Sequence, residues 1–155
     1  MKIAEALIHK SDLEEKIRNL YSRADENLLV QEGEEVQEDS KALVEAMKKA
    51  GKDLVVLTSK IQGANSSNKL RDEDGKEMEM TIQEALVYKD GLISLSSKLR
   101  SLASDAVPQT RYSQSEIKII PTVDAKALQA EADDLAKEAR DLDIAIQRTN
   151  WLVEI

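Results

Sequence analysis

The chain says the same thing twice. "KIAEALIHKSDL" at residues 2–13 returns as "TIQEALVYKDGL" at residues 81–92, so Ile3, Glu5, Ala6, Leu7, Lys10 and Leu13 recur as Ile82, Glu84, Ala85, Leu86, Lys89 and Leu92. Leu20 and Ala24 recur as Leu99 and Ala103 at the same offset of 79. A second offset, 85, relates "DSKAL" at Asp39 to "DAKAL" at Asp124, and "IQGAN" at Ile61 to "IQRTN" at Ile146. The six extra residues fall in the connection after the third apolar segment. Two tandem copies of one helical hairpin follow from this. A lone hairpin carries an apolar stripe on each helix with little to cover it, and a second hairpin can bury both.

Apolar spacing places the helices. Ile3, Ala6, Leu13, Ile17, Leu20, Ala24 and Leu28 share one face of a helix over residues 2–29. Gly33 and the acidic run "EGEEVQED" interrupt it. Asp39 or Ser40 caps a second helix, whose seam of Leu43, Met47, Ala50, Leu54, Leu57, Ile61 and Ala64 steps alternately by four and three. Thr81 and Glu84 form a capping box for a third helix reaching about residue 106. Asp124 caps a fourth, over residues 125–150, with the seam Leu128, Ala132, Leu135, Ala139, Leu142 and Ile146. The link over residues 66–80 is polar and turns at Asp74-Gly75, which suits a small β-hairpin or an irregular loop. "EIKII" before Pro121 reads as a short strand or strap. The expected fold is all-α, four long antiparallel helices with coiled-coil-like packing, in one domain over 1–155. Residues 1–65 form the first hairpin and 81–155 the second.

The third helix carries a wider apolar stripe than one seam needs, with Leu86, Ile93, Leu95 and Leu102 beside Leu92 and Leu99. Burial on two sides is expected, in the bundle or against a second subunit. A homo-oligomer is therefore the expected state.

Composition limits the partners. Lys and Arg number 22 against 30 Asp and Glu, a formal charge of -8, which repels nucleic acid and anionic membranes on average. Cysteine is absent, so thiolate chemistry, disulfides and Cys-based zinc sites are excluded. The start of the chain lacks the apolar run of a signal peptide, and a cytoplasmic location is expected. No membrane span and no nucleic-acid partner are expected.

Few residues suggest chemistry. His9 is the sole histidine, one turn from Glu5, and its counterpart is Tyr88; a metal pair is conceivable there, but the Glu-x-x-His pairs of di-iron bundles are missing. Glu32, Glu34 and Glu35 sit in an acidic connection without the spacing of a calcium loop. Arg111, Tyr112, Ser113, Ser115 and Glu116 gather a cation, a phenol, two hydroxyls and a carboxylate in the other connection. They could hold a phosphate or carboxylate, or Arg111 could pair with the acidic connection. Asn150 and Trp151 close the fourth helix, where Trp suits the core or an interface. These ten residues are the interaction candidates; no catalytic, cofactor or metal residue is assigned.

"KIAEAL", "VQEGE" at Val30, "RYSQSEI" at Arg111, "PTVD" at Pro121 and "IQRTNW" together resemble a family of small bacterial helical proteins that carries the label septicolysin. The resemblance spans nearly the whole chain and implies a helical bacterial protein. The label implies a pore-forming cytolysin, with the third helix as the membrane-active candidate. The residues point instead to a non-enzymatic, self-associating helical protein acting through protein contacts; a small-molecule or metal binder is a weaker alternative.

Overall fold

Asp39 and Asp124 begin the second helix of each hairpin in the same way. The Asp39 carboxylate accepts the amides of Lys41 (3.0 Å) and Ala42 (3.3 Å), and Asp124 accepts those of Lys126 (2.9 Å) and Ala127 (3.1 Å). Each aspartate thus satisfies amides that a helix start leaves open. The computed structural model describes residues 1–108 and 117–155. It contains α1 (Ile3–Glu26), α2 (Ser40–Ser67), β1 (Lys69–Arg71), β2 (Glu77–Thr81), α3 (Ile82–Asp105) and α4 (Ala125–Leu152). Four helices with one small antiparallel hairpin make the fold essentially all-α, as the repeat predicts.

The boundaries differ from expectation where side chains intervene. α1 stops at Glu26, three residues before the expected end. The Asn27 side-chain amide donates to the Arg23 carbonyl (2.9 Å), its Oδ1 accepts the Glu38 amide (3.2 Å), and Ser40 Oγ donates to the Asn27 carbonyl. One asparagine therefore ends the helix and folds the connection back. α2 runs past Gly63 to Ser67, where Asn68 caps it by donating both its backbone amide (3.0 Å) and its side-chain amide (2.9 Å) to the Ala64 carbonyl.

The β1–β2 turn is built on Asp72. Its Oδ1 accepts the amides of Asp74 (3.0 Å) and Lys76 (2.8 Å), and Gly75 supplies the left-handed φ of +78° that the turn requires. Lys69 pairs with Thr81 and Arg71 with Glu77, with a register irregularity between them.

The chain divides into two compact units: Met1–Asn68 with Thr149–Ile155, and Lys69–Arg148. In the first, α1 packs on α2 around Leu20, Ala24 and Leu43, flanked by Val44 and Met47. Residues 153–155 pair with the start of α1: Ile3 N–H donates to the Val153 carbonyl (3.0 Å), Ile155 N–H to the Met1 carbonyl (2.9 Å), and Lys2 bridges Glu154. In the second unit, α3 and α4 meet along Ser96, Ala132 and Ala139, all buried, while Leu70 of β1 is fully buried.

The internal repeat is visible in detail at the helix starts. Lys2 N–H donates to Glu5 Oε2 at 2.7 Å, and Thr81 N–H to Glu84 Oε2 at the same 2.7 Å. The Thr81 amide, then its hydroxyl, holds the Glu84 carboxyl below its ordinary value. The wide stripe of α3 is not covered in the same way. Val87, Tyr88, Ile93, Leu95 and Leu102 are exposed in this chain, so the second buried side expected of that helix is not supplied within it.

Candidate functional site

The two hairpins differ where their helices face each other. At offsets 79 and 85, Ile17, Met47 and Leu54 of the first hairpin correspond to Ser96, Ala132 and Ala139 of the second. Three large side chains become three small ones. The second hairpin closes partly on the missing volume: Ser96 Oγ donates directly to the Ala132 backbone carbonyl across the helix pair, at 2.7 Å. Small residues permit that approach, and the hydroxyl that an apolar seam would leave unsatisfied finds its acceptor.

The remaining space is an open groove of about 500 Å³ between α3 and α4. Ser96, Ser97, Ala136 and Ala139 line it, and Ile93 stands over one side, half exposed. Its charged residues are Lys89 and Arg100 on α3, and Arg140 and Asp143 on α4. Lys89 Nζ lies 2.7 Å from Asp143 Oδ1, and Arg100 reaches Asp133 Oδ1 at 3.0 Å. Arg140 is exposed and has no ion-pair partner among the described residues. A groove with a surplus cation thus lies in a chain whose formal charge is -8. The counterparts of Arg100 and Arg140 in the first hairpin are Tyr21 and Val55, so these two arginines belong to the second copy alone, whereas Lys89 repeats Lys10.

The residues singled out from the sequence lie elsewhere. Glu32, Glu34 and Glu35 are exposed in the α1–α2 connection and carry no ion pair among the described residues. Glu38, beside them, is held in a two-pronged pair with Arg23, which lowers its carboxyl from the ordinary value. Arg111, Tyr112, Ser113, Ser115 and Glu116 fall outside the described residues. Trp151 is 56% exposed and so is no core anchor; Asn150, one residue away, is 4% exposed and turned inward. Its Oδ1 is buried without a partner among the described residues, as is that of Asn65, its counterpart in the repeat. His9 is exposed, its Nδ1 4.0 Å from Asp12, and no cluster of three metal-ligating side chains exists among the described residues.

Motifs in the connections do not point to the groove residues. The signal that does is the disagreement between the copies: Ile17, Met47 and Leu54 stand against Ser96, Ala132 and Ala139, while Ala50 stands against Leu135 in the opposite sense.

Fold and groove define a class: a duplicated helical hairpin whose second copy has exchanged bulk for an open, cation-flanked groove. The chain belongs to a family of unknown function, DUF6847, whose model matches residues 10–155. It is also similar to a protein from Corynebacterium diphtheriae, solved as the crystal structure of a functionally unknown conserved protein. That likeness has 31% identity and a TM-score of 0.85, over 100% of this chain and 98% of that one. No curated protein matches the chain. Neither match carries the septicolysin label that the sequence motifs suggest. Among the described residues, no helix is long and apolar enough to cross a membrane.

Proposed function

We propose that this is a non-enzymatic, self-associating helical protein of the bacterial cytoplasm that acts through protein contacts. The observation that carries the reading is the apolar surface the chain leaves open. On α3, Val87, Ile93, Leu95 and Leu102 are exposed, and α2 exposes Val55 and Val56. Leu29 in the α1–α2 connection is 92% exposed, and Ile117, ahead of α4, 94%. Burying one such aliphatic side chain is worth roughly 1.5–3 kcal/mol. Scattered exposed aliphatics are ordinary, but Val87, Leu95 and Leu102 share one side of α3, with Ile93 on the other side by the groove, and such a cluster supports a contact surface.

The test is solution mass. Light scattering and sedimentation velocity across micromolar concentrations should give a defined oligomer. A monomer throughout that range sinks the self-association reading.

A further inference from the structure

We infer that the α3–α4 groove receives the acidic α1–α2 connection of a second copy of this chain, with the carboxylates of Glu32, Glu34 and Glu35 meeting Arg140. The inference rests on the self-association proposed above and adds one pair of surfaces to it, since Val87, Leu95 and Leu102 do not line this groove.

Charge is the first observation. Lys89 and Arg100 have their own carboxylates in Asp143 and Asp133, which leaves Arg140 as the groove cation with no ion-pair partner among the described residues. Glu32, Glu34 and Glu35 are exposed carboxylates with no ion pair among the described residues, and the neighbouring Glu38 is already engaged by Arg23. An arginine fork and a free carboxylate recognise each other in a two-bond geometry that a lysine cannot offer.

The second is the asymmetry of the repeat. The acidic run belongs to the first hairpin's connection, and the cationic groove belongs to the second hairpin's helices. The corresponding positions of the first hairpin carry Tyr21 and Val55 in place of arginines. Each chain therefore has one donor segment and one acceptor groove. A donor segment of one copy on an acceptor groove of the next is a head-to-tail contact between copies.

The third is shape and apolar content. Leu29 and Val30 directly precede the acidic run and are exposed, at 92% and 48%. Ile93, 51% exposed, stands on the groove beside the cations. The incoming segment thus brings aliphatic side chains to an aliphatic wall as well as carboxylates to Arg140. Gly33, at φ +90° with nothing near its missing Cβ, puts a bend into that segment.

The experiment compares three chains by sedimentation equilibrium at about 50 and about 500 mM salt, conditions spanning weak and strong screening. These are the wild type, Arg140→Glu, and Arg140→Glu combined with Glu34→Arg and Glu35→Arg. Lys126→Glu, with the same charge change away from the groove, is the control. Arg140 is exposed, so its reversal leaves the core intact, and circular dichroism verifies this. The expected result is a wild-type oligomer weakened by salt, and a dissociation constant raised about tenfold or more by Arg140→Glu. The triple variant should recover most of that loss, and Lys126→Glu should leave the constant unchanged. A wild-type oligomer indifferent to Arg140→Glu overturns the groove assignment while leaving self-association standing. Weakening without recovery in the triple variant overturns the acidic connection as occupant. A monomeric wild type removes both.

Discussion

Glu154 stands to Lys2 as Lys69 stands to Thr81. Each pair is an antiparallel bridge, and the two are related by the offsets that relate the helices, 85 for Lys69 and Glu154 and 79 for Lys2 and Thr81. The segment that follows α2 pairs with the one that precedes α3, and the segment that follows α4 pairs with the one that precedes α1. Lys2 adds side-chain bonds, its Nζ lying 3.0 Å from both Glu154 Oε1 and the Leu152 carbonyl.

This relationship predicts tolerance of circular permutation. Residues 70 and 80 are the counterparts of Ile155 and Met1, so the nine residues 71–79 form a loop with no counterpart between residues 155 and 1. Joining Ile155 to Met1 through a copy of that segment, and opening the chain between Asp74 and Gly75, should preserve the fold. The expected melting temperature lies within about 5 °C of the parent, a change of about one to two kcal/mol at this size. A helical signal lost in circular dichroism would show that the two closures are not equivalent.

Thr81→Ala removes the acceptor for the Glu84 amide, which now sits 3.1 Å from Thr81 Oγ1. The expected cost is about 1 kcal/mol, read from urea unfolding. Serine keeps the hydroxyl at the cap, so Thr81→Ser should recover most of it. Equal loss in both variants would locate the effect in packing of the threonine methyl rather than in the cap.

Acid should weaken the protein through its paired carboxylates. Glu38 is lowered by Arg23, Glu84 by the Thr81 amide and hydroxyl, and Glu154 by Lys2, each from an ordinary 4.5. A carboxyl whose folded value is depressed binds its proton more readily in the unfolded chain. Its contribution is complete above the unfolded value and drains away as pH falls through the folded one. The urea midpoint should therefore drop between about pH 5 and about pH 3. Glu84→Gln together with Glu38→Gln should flatten that slope; an unchanged slope would assign the acid sensitivity to other groups.

Ser96→Ile, the residue of the first hairpin placed in the second, should destabilise by roughly 1–3 kcal/mol, since Ser96 is buried with its Oγ 2.7 Å from the Ala132 carbonyl and a longer side chain must push the helices apart or turn into the groove. Ser96→Ala removes the hydroxyl without adding bulk and should cost about 1 kcal/mol. Stabilisation by Ser96→Ile would mean that the helices separate freely at that level and the close approach is incidental.

The helices and their duplication are open to sequence reading because a seam of alternating four- and three-residue steps has one structural meaning over several turns. Caps are equally legible at Asp39, Thr81 and Asp124, where a short polar side chain precedes an apolar run. The Lys2–Glu154 bridge is not. A single bridged pair has no alternation to detect, and its partners lie 152 positions apart in the sequence. The end of α1 is obscured because Leu28 and Leu29 continue the apolar pattern, while Asn27 ends the helix through bonds to Arg23, Glu38 and Ser40. The groove is hidden because Ser96 and Ala139 fit a helical seam as well as Ile17 and Leu54 do. Only the comparison of one copy with the other shows that volume is missing.

The pairing of residues 153–155 with the start of α1 has a consequence for how the molecule is made. Ile3 is buried early in the sequence, yet the carbonyl that receives its amide belongs to Val153. On a ribosome, α1 and α2 emerge and can pair long before that carbonyl exists, with Ile3 still lacking its cover. The closing contact joins residues 150 positions apart, which makes it entropically among the slowest kinds to form. The first hairpin therefore gains this closing contact only after the second has been synthesised.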